Sequence, residues 1–365
     1  PIVRPQPDPA HLKTALEGLQ KRFASLNREP DPEFIAALKN FVKEFLVENL
    51  TPLDRDTDTS FESWVAQINQ PMWRKKELLD AYYKLCDSGL RKKDRTVRGF
   101  IKREQYPQFK YARCINSRSD IFKVFCGPIF SKIEKELFSL DWFIKKIPVL
   151  DRPNFILNRL FQDNCKILAT DYTSFEALFT AELMHAVEMQ LYEYMTQNLP
   201  DGPSWYAVID EVLTGENRCK YKDFECTISA RRMSGEMCTS LGNSFSNLMF
   251  MLFACKIAGC EVTGVVEGDD GLFSVRGGEP TVEIFERLGL KIKLEVHDEI
   301  NRASFCGLIF DRAERCVVRD PRDVLADFAW IDARFRASRS SKIKTLMRCK
   351  SLSLAHQYPG CPVIA

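Results

Sequence analysis

Two short runs rich in strand-forming residues, 262–267 and 272–276, are separated only by Gly268-Asp269-Asp270-Gly271. Such a pair around a Gly- and Asp-containing tetrad predicts a β-hairpin. Asp-Gly is a favoured hairpin turn, so Asp270-Gly271 needs no function to explain it. The chemical reading is a carboxylate pair on a rigid turn, holding Mg²⁺ through oxygen ligands. That reading requires a third carboxylate from elsewhere. Residues 166–171 (KILATD) form a short strand with Ile167, Ala169 and Asp171 on one face, and Asp171 ends it. Its plainer role is an acid at the start of the next helix, where the helix dipole favours negative charge.

Around the hairpin, helical and strand patterns alternate. Helices are expected over 173–198, 239–258 and 281–288, the last stopped at Gly289. Short strands are expected over 291–296, 304–310 and 316–318. Helices set among antiparallel strands predict the α+β class. Upstream, a short helix fits 11–26. Asp31-Pro32 opens another, with Asp as N-cap and Pro at the first position, carrying Phe34, Ile35, Leu38, Phe41, Val42, Phe45 and Leu46. A further helix holds Leu78, Leu79, Tyr82, Tyr83 and Cys86 and ends by Gly89.

Residues 234–243 read SGEMCTSLGN. Ser234-Gly235 is small and flexible, and Thr239 and Asn243 share one face of the helix that follows. A polar stripe or a helix N-terminus would look the same. Arg231 and Arg232 just upstream suit phosphate contact or simply the surface.

Composition excludes more than it assigns. The chain has 365 residues, 45% hydrophobic and 28% charged, which rules out wholesale disorder. The longest apolar run, 248–255, is too short to span a bilayer, so no transmembrane segment is expected. No signal peptide is seen, and Pro1 in place of Met is what is expected either of a segment processed from a longer product or of one cut out by design. Thirteen cysteines without a C-x-x-C, and four histidines, show no zinc spacing and fit free thiols in a reducing compartment. Net charge is only +2, but it is unevenly spread. Residues 91–123 carry eleven Lys/Arg against three acids, interleaved with Tyr106, Phe109, Tyr111 and Phe122. Residues 334–350 carry seven Lys/Arg and no acid. Either run alone is as well explained by a solvated face; together they lean toward a polyanion partner.

Read in order, Asp171-Tyr172-Thr173-Ser174-Phe175-Glu176, SG-x-x-x-T-x-x-x-N at 234–243 and Gly268-Asp269-Asp270 after an apolar strand resemble the palm of viral RNA-dependent RNA polymerases. Arg232-Met233-Ser234-Gly235 with TSLGN resembles the tombusvirus-like positive-strand group. Residues 100–104 (FIKRE), with Lys110 and Arg113-x-Ile115, resemble the family's basic fingers motif, and 350–364 (KSLSLAHQYPGCPVI) the start of its thumb. The resemblance implies a right-hand fold: an N-terminal helical extension (1–60), helical fingers (61–165), a palm of antiparallel sheet flanked by helices (166–199 and 231–318), a fingers insertion (200–230) and a short or truncated thumb (319–365). It implies RNA-templated nucleotidyl transfer with two Mg²⁺ ions, Mn²⁺ being a possible substitute. Asp171, Asp269 and Asp270 would be the metal ligands. Lys102, Lys110 and Arg113 would face the triphosphate, and Glu176, Ser234, Gly235, Thr239 and Asn243 the nucleotide. Arg118, Arg231 and Arg232 would contact RNA. Lys293, where the family often has a lysine, would be the general acid, with Lys291 on the same strand face and His297 an outside candidate. The family usually has Asp at the position of Glu176. That glutamate also fits a local capping box with Thr173.

The implied partners are template and product RNA, ribonucleoside triphosphates and other viral replication proteins. The implied location is the host cytoplasm, at membrane-associated replication complexes reached through other segments or partners. Two other functions stand beside this one. A reverse transcriptase would carry Tyr-x before the Asp pair, where this chain has Glu267-Gly268. A non-catalytic RNA-binding or assembly module would fit the short thumb. Primer extension with ribo- and deoxynucleotides separates the three.

Overall fold

The computed structural model describes residues 6–23, 28–104, 106, 108–328, 330–332, 335, 337–359 and 361. The N-terminal part is helical: α1 (Leu12–Arg22), α2 (Pro32–Asn49), α3 (Phe61–Gln67) and α4 (Met72–Ser88). Residues 24–26 of the expected first helix lie outside the described residues. Asp31 caps α2 as expected, accepting from the Glu33 and Phe34 amides, with Pro32 at the first position. Far from being peripheral, α2 buries Ile35, Leu38, Val42, Phe45 and Leu46 in the main core.

β1 (Val97–Ile101) and β2 (Cys114–Arg118) follow, then α5 (Asp120–Leu137) and α6 (Arg152–Arg159). β3 (Lys166–Tyr172) is followed by three short helices, α7 (Phe175–Leu178), α8 (Ala181–Ala186) and α9 (Glu188–Thr196), not by one long helix. The backbone breaks the run twice over. Ser174 is left-handed at φ 54°, and Val187 leaves the helical region at ψ −87°. Between them Thr180 restarts the helix by accepting from the Leu183 amide at 3.2 Å. The capping box at Thr173 is absent as well, because the Thr173 amide donates to the Lys291 carbonyl at 3.0 Å.

Next come α10 (Gly202–Leu213), β4 (Glu216–Lys220), β5 (Glu225–Ser229) and α11 (Thr239–Ala258), the last with the expected bounds. The predicted hairpin is β6 (Glu261–Glu267) and β7 (Asp270–Arg276). After α12 (Val282–Arg287) and β8 (Ile292–His297), the expected strand 304–310 is itself a tight hairpin, β9 (Ser304–Phe305) and β10 (Leu308–Asp311). Its turn residues Cys306 and Gly307 are both left-handed, at φ 53° and 73°. β11 (Cys316–Val318), α13 (Pro321–Phe328) and α14 (Ser340–Gln357) complete the chain. α14 buries none of its residues. Of the expected thumb-like tail, residues 360 and 362–364 lie outside the described ones, as do 334 and 336 of the second basic stretch.

Three sheets result. One has the order β2-β1-β4-β5, one β6-β7-β3-β8 and one β11-β10-β9. The second is central and covered on both faces. Leu168, Tyr172, Val266 and Phe273 face the main core with α2, α9 and α11. Ile167, Ala169, Val265 and Leu272 face a smaller core built with α6 and the β9–β10 hairpin. All thirteen cysteines are free thiols. Among the described residues no helix is long and apolar enough to cross a membrane.

Candidate active site

β3 lies between β7 and β8, and its register sets the site. Thr170 opposes Gly271 on β7, and Asp171 opposes Lys293 on β8. One step further along the same ladder Asp171 meets Asp270, whose partner on β6 is Glu267. Opposed residues of antiparallel strands share a face. Glu267, Asp270, Asp171 and Lys293 therefore form one row across the end of the central sheet. That row continues the face of the smaller core.

The turn itself is centred on Gly268-Asp269, not on Asp270-Gly271. Glu267 pairs with Asp270, and Gly268 has φ 63° while Asp269 keeps a negative φ. This is the pattern of a type II′ turn, whose first corner residue must be left-handed. Asp270 thus belongs to a strand and takes its direction from the sheet. Asp269 projects from the tip.

Electrostatically the row is crowded with acid. The Asp270 side chain reaches solvent at the sheet end, but the protein around it partly strips water from the carboxyl; that desolvation first, then Asp269, with Asp171 and Glu267 adding and the Cys306 thiol opposing, pushes it up to about 6. Cys306 reaches it from the β9–β10 turn, and its own thiol is raised by burial and by Asp270. Carboxylate oxygens crowded together in this way are the hard donors that a divalent cation stabilises. Asp171, Asp269 and Asp270 fit that role in chemistry and placement. Among the described residues no three ligating side chains close around a single point. The donors are gathered at one edge and the set is open.

Lys293 is exposed and paired with Glu295, which raises its ammonium pKa, Asp171 adding to the effect. Lys291 precedes β8 and lends its carbonyl to Thr173. His297 opposes Ile167, four residues along β8 from Lys293, and its Nε2 lies 3.7 Å from the Glu295 carboxylate that pairs with Lys293.

The 234–243 segment is stitched to β2. Ser234 Oγ donates to the Cys114 carbonyl at 3.2 Å and accepts from the Asn116 amide at 3.3 Å. The Gly235 amide donates to the Asn116 carbonyl at 2.8 Å, and a Cβ there would lie 2.9 Å from Ser117 Cα, so only glycine fits. Thr239 Oγ1 lies 3.0 Å from the Met233 carbonyl and 3.1 Å from that of Glu236, which commits its proton to closing the loop rather than to a ligand. Asn243 is buried with its Oδ1 unpartnered.

Two of the three arginines expected on RNA are interior. Arg118 is 4% exposed, donating to Glu236 at 2.7 Å, to Asn217 at 2.5 Å and to the Arg95 and Val212 carbonyls. Arg232, 2% exposed, pairs with the fully buried Glu188 and stacks over Phe179 at 4.8 Å. Each is a charge compensated inside the protein, and of the two only Arg118 lines a groove. Arg231 is half-buried and bonds its neighbour Ala230.

The basic segment divides. Lys102 and Arg113 flank Glu104 at 3.1 and 3.8 Å, while Lys110 is exposed. Arg113, Glu176 and Ser234 line one small cavity of about 40 Å³ together with Gly18 and Arg22 of α1 and the Phe23 that ends it. A larger groove of about 1180 Å³ runs along β1, β4 and the start of α5. Lys92, Lys93 and Arg98 line it with no ion pair among the described residues, beside Lys220, which shares the Arg98 register position.

Glu267 and Lys145 belong to the site and were not singled out from the sequence. Lys145 lies 3.9 Å from Glu267 and also contacts Ser240. Strand alternation from Val265 places Glu267 on the acidic face; nothing local marks Lys145. Residues 150–358, more than half of the chain, match the family model of viral RNA-dependent RNA polymerase. Among curated proteins none matches the chain.

Proposed function

The chain belongs to the viral RNA-dependent RNA polymerases, nucleotidyltransferases of viral RNA replication, and we propose that the acidic row at the end of the central sheet is its catalytic centre. The observation that carries this reading is the register that sets Asp171 beside Asp270 under the Asp269 tip. The family acts on RNA and ribonucleoside triphosphates with divalent metal ions. Here Asp171, Asp269 and Asp270 would hold Mg²⁺, or Mn²⁺ in its place. When bound, the metal stabilises the attacking 3′-oxygen and the leaving pyrophosphate. The protein's own part is to fix donor positions on a strand end and a turn. Lys110, with Lys102 and Arg113 around Glu104, offsets triphosphate charge. Glu176 and Asn243 are the polar groups available to read the ribose 2′-hydroxyl. Lys293, opposite Asp171, would return a proton to pyrophosphate.

The β2-β1-β4-β5 sheet with its basic groove would be the fingers, carrying template phosphates on Lys92, Lys93, Arg98 and Lys220. The central sheet would be the palm, and α13 and α14 the start of a thumb. The RMSG and TSLGN wording supports a place in the tombusvirus-like group. Other replication proteins and a membrane-associated site in the host cytoplasm belong to the same proposal.

Template-directed extension with ribo- and deoxynucleotides tests it. Wild type should extend RNA with ribonucleotides in a Mg²⁺-dependent way, and Asp269→Ala should abolish extension without changing thermal stability. A folded Asp269→Ala protein that still extends RNA refutes the assignment. Preference for deoxynucleotides would point to a reverse transcriptase, and RNA binding without synthesis to an assembly module.

A further inference from the structure

Four side chains of α11 break its apolar surface: Asn243, Ser244, Ser246 and Asn247, all no more than 4% exposed. Buried polar groups in folded proteins have partners, and an orphaned one is destabilising. Two of these four have found theirs in the catalytic turn. Ser244 Oγ accepts from the Gly268 amide at 2.8 Å, and Asn247 Nδ2 donates to the Gly268 carbonyl at 3.2 Å. Their i, i+3 spacing puts both on one face of the helix. One residue of the turn is thereby gripped at both of its peptide groups, from the sheet face opposite the carboxylates.

We propose that Ser244 and Asn247 are positioning residues that set the register of the β6–β7 turn and the direction of Asp269. The proposal rests on the reading of Asp269 as a catalytic carboxylate. The tetrad Gly268-Asp269-Asp270-Gly271 admits two turn centres, and Asp270-Gly271 is by itself the better hairpin dipeptide. Centring there would change the pairing and with it the side chains that join the acidic row. Only the observed centre places a peptide amide and carbonyl where Ser244 and Asn247 can bind them. The Gly268 carbonyl also belongs to the central peptide of the turn, whose rotation interconverts the II′ and I′ forms. In the I′ form Asp269 would need a positive φ and its side chain would leave in another direction. The bond from Asn247 holds that peptide.

Steric contact does not supply this restraint, since nothing lies within 4 Å of a Cβ built on Gly268. Nor is Asn247 explained by stability. Its Oδ1 is buried without a partner, so the amide is an expensive group in an apolar helix. Leucine, of similar size, would suit that position better for packing alone.

The test uses Asn247→Leu, Ser244→Ala and the conservative Ser244→Thr in the full chain. Amide hydrogen exchange of the metal-free protein reads the grip directly. Asn247→Leu and Ser244→Ala should speed exchange at Gly268 by about tenfold while the amides of α11 and β3 hold. Single-nucleotide extension reads its purpose. Both variants should lower kcat about tenfold, with the nucleotide KM and RNA affinity within about twofold of wild type. Ser244→Thr should restore both readouts, and the urea midpoint of Asn247→Leu should equal or exceed wild type. Unchanged exchange at Gly268 overturns the grip. Raised exchange with unchanged kcat overturns its role, and so does a loss of activity that tracks a fall in the urea midpoint. Wild type without RNA synthesis would instead overturn the polymerase reading, and exchange would still decide whether the grip exists.

Discussion

Gly242 sits in the first turns of α11, where alanine should be the better helix former by about 1 kcal/mol. The structure predicts the reverse outcome for Gly242→Ala. A Cβ at this position would lie 2.2 Å from Glu188 Oε2 and 2.5 Å from Arg232 Nη2, inside contact distance of both members of a buried ion pair. Neither partner is free to step aside. Glu188 also accepts from the Tyr192 hydroxyl at 2.9 Å, and Arg232 is stacked on Phe179 and lies 3.4 Å from Cys238 Sγ. Separating such a pair leaves two buried charges poorly compensated, at a cost of about 3–5 kcal/mol. Setting the propensity gain against that cost leaves a net destabilisation of about 2–4 kcal/mol. Urea unfolding followed by far-UV circular dichroism measures it. A double-mutant cycle with Glu188→Ala locates it, because the alanine at 242 should cost much less once the carboxylate is gone. A Gly242→Ala protein as stable as wild type, or more so, would show that helix propensity wins and that the pair does not close over Gly242.

Three further outcomes follow from the site. Replacing Lys92, Lys93 and Arg98 together by alanine should weaken single-stranded RNA binding and flatten the slope of log affinity against log salt by about 2, at about 0.7 per lost phosphate contact; an unchanged slope in a binding titration would take RNA out of this groove. In the metal-free protein Asp270 holds its proton up to about 6, against an ordinary 3.8, so the folded state binds more protons than the unfolded one between those values. Stability should therefore fall as pH rises through that window and stay lowered above it, by no more than about 1 kcal/mol because the side chain is open to solvent, and Asp270→Asn should abolish the dependence in thermal melts with chelator present. Lys293→Leu should lower kcat by about 100-fold and remove the alkaline limb of the pH–rate profile if this ammonium returns the proton to pyrophosphate; an unchanged profile assigns that proton to water or another group.

What could be read along the chain was what short-range physics controls. The α2 cap at Asp31-Pro32, the bounds of α11, the two strands of the hairpin and the single face shared by Ile167, Ala169 and Asp171 depend on local propensity, capping and the period of two. The ordered motifs carried the family, because metal-holding chemistry needs acids at strand ends and turns wherever the rest of the chain goes. Charge, by contrast, misled where burial intervened. Arg118 and Arg232 look like any other arginines in sequence, and only the presence of Glu236 and Glu188 across the fold makes them interior residues. Thr239 resembled a ligand group until the carbonyls of Met233 and Glu236 took its proton.

The turn shows the division most clearly. Local preference selects Asp270-Gly271 as its centre, and the molecule uses Gly268-Asp269. The difference is set by contacts more than twenty residues away in sequence, from Ser244 and Asn247 to one glycine, and by the ladder that ties Glu267 to Asp270. Hydrogen bonds between distant segments are invisible to any window along the chain, yet each is comparable in energy to the local preference it opposes. The residue types of the acidic row were therefore written in the sequence. Which of those acids stand side by side, and in which direction they point, was decided by the register of β3, β6 and β7 and by the helix packed behind them.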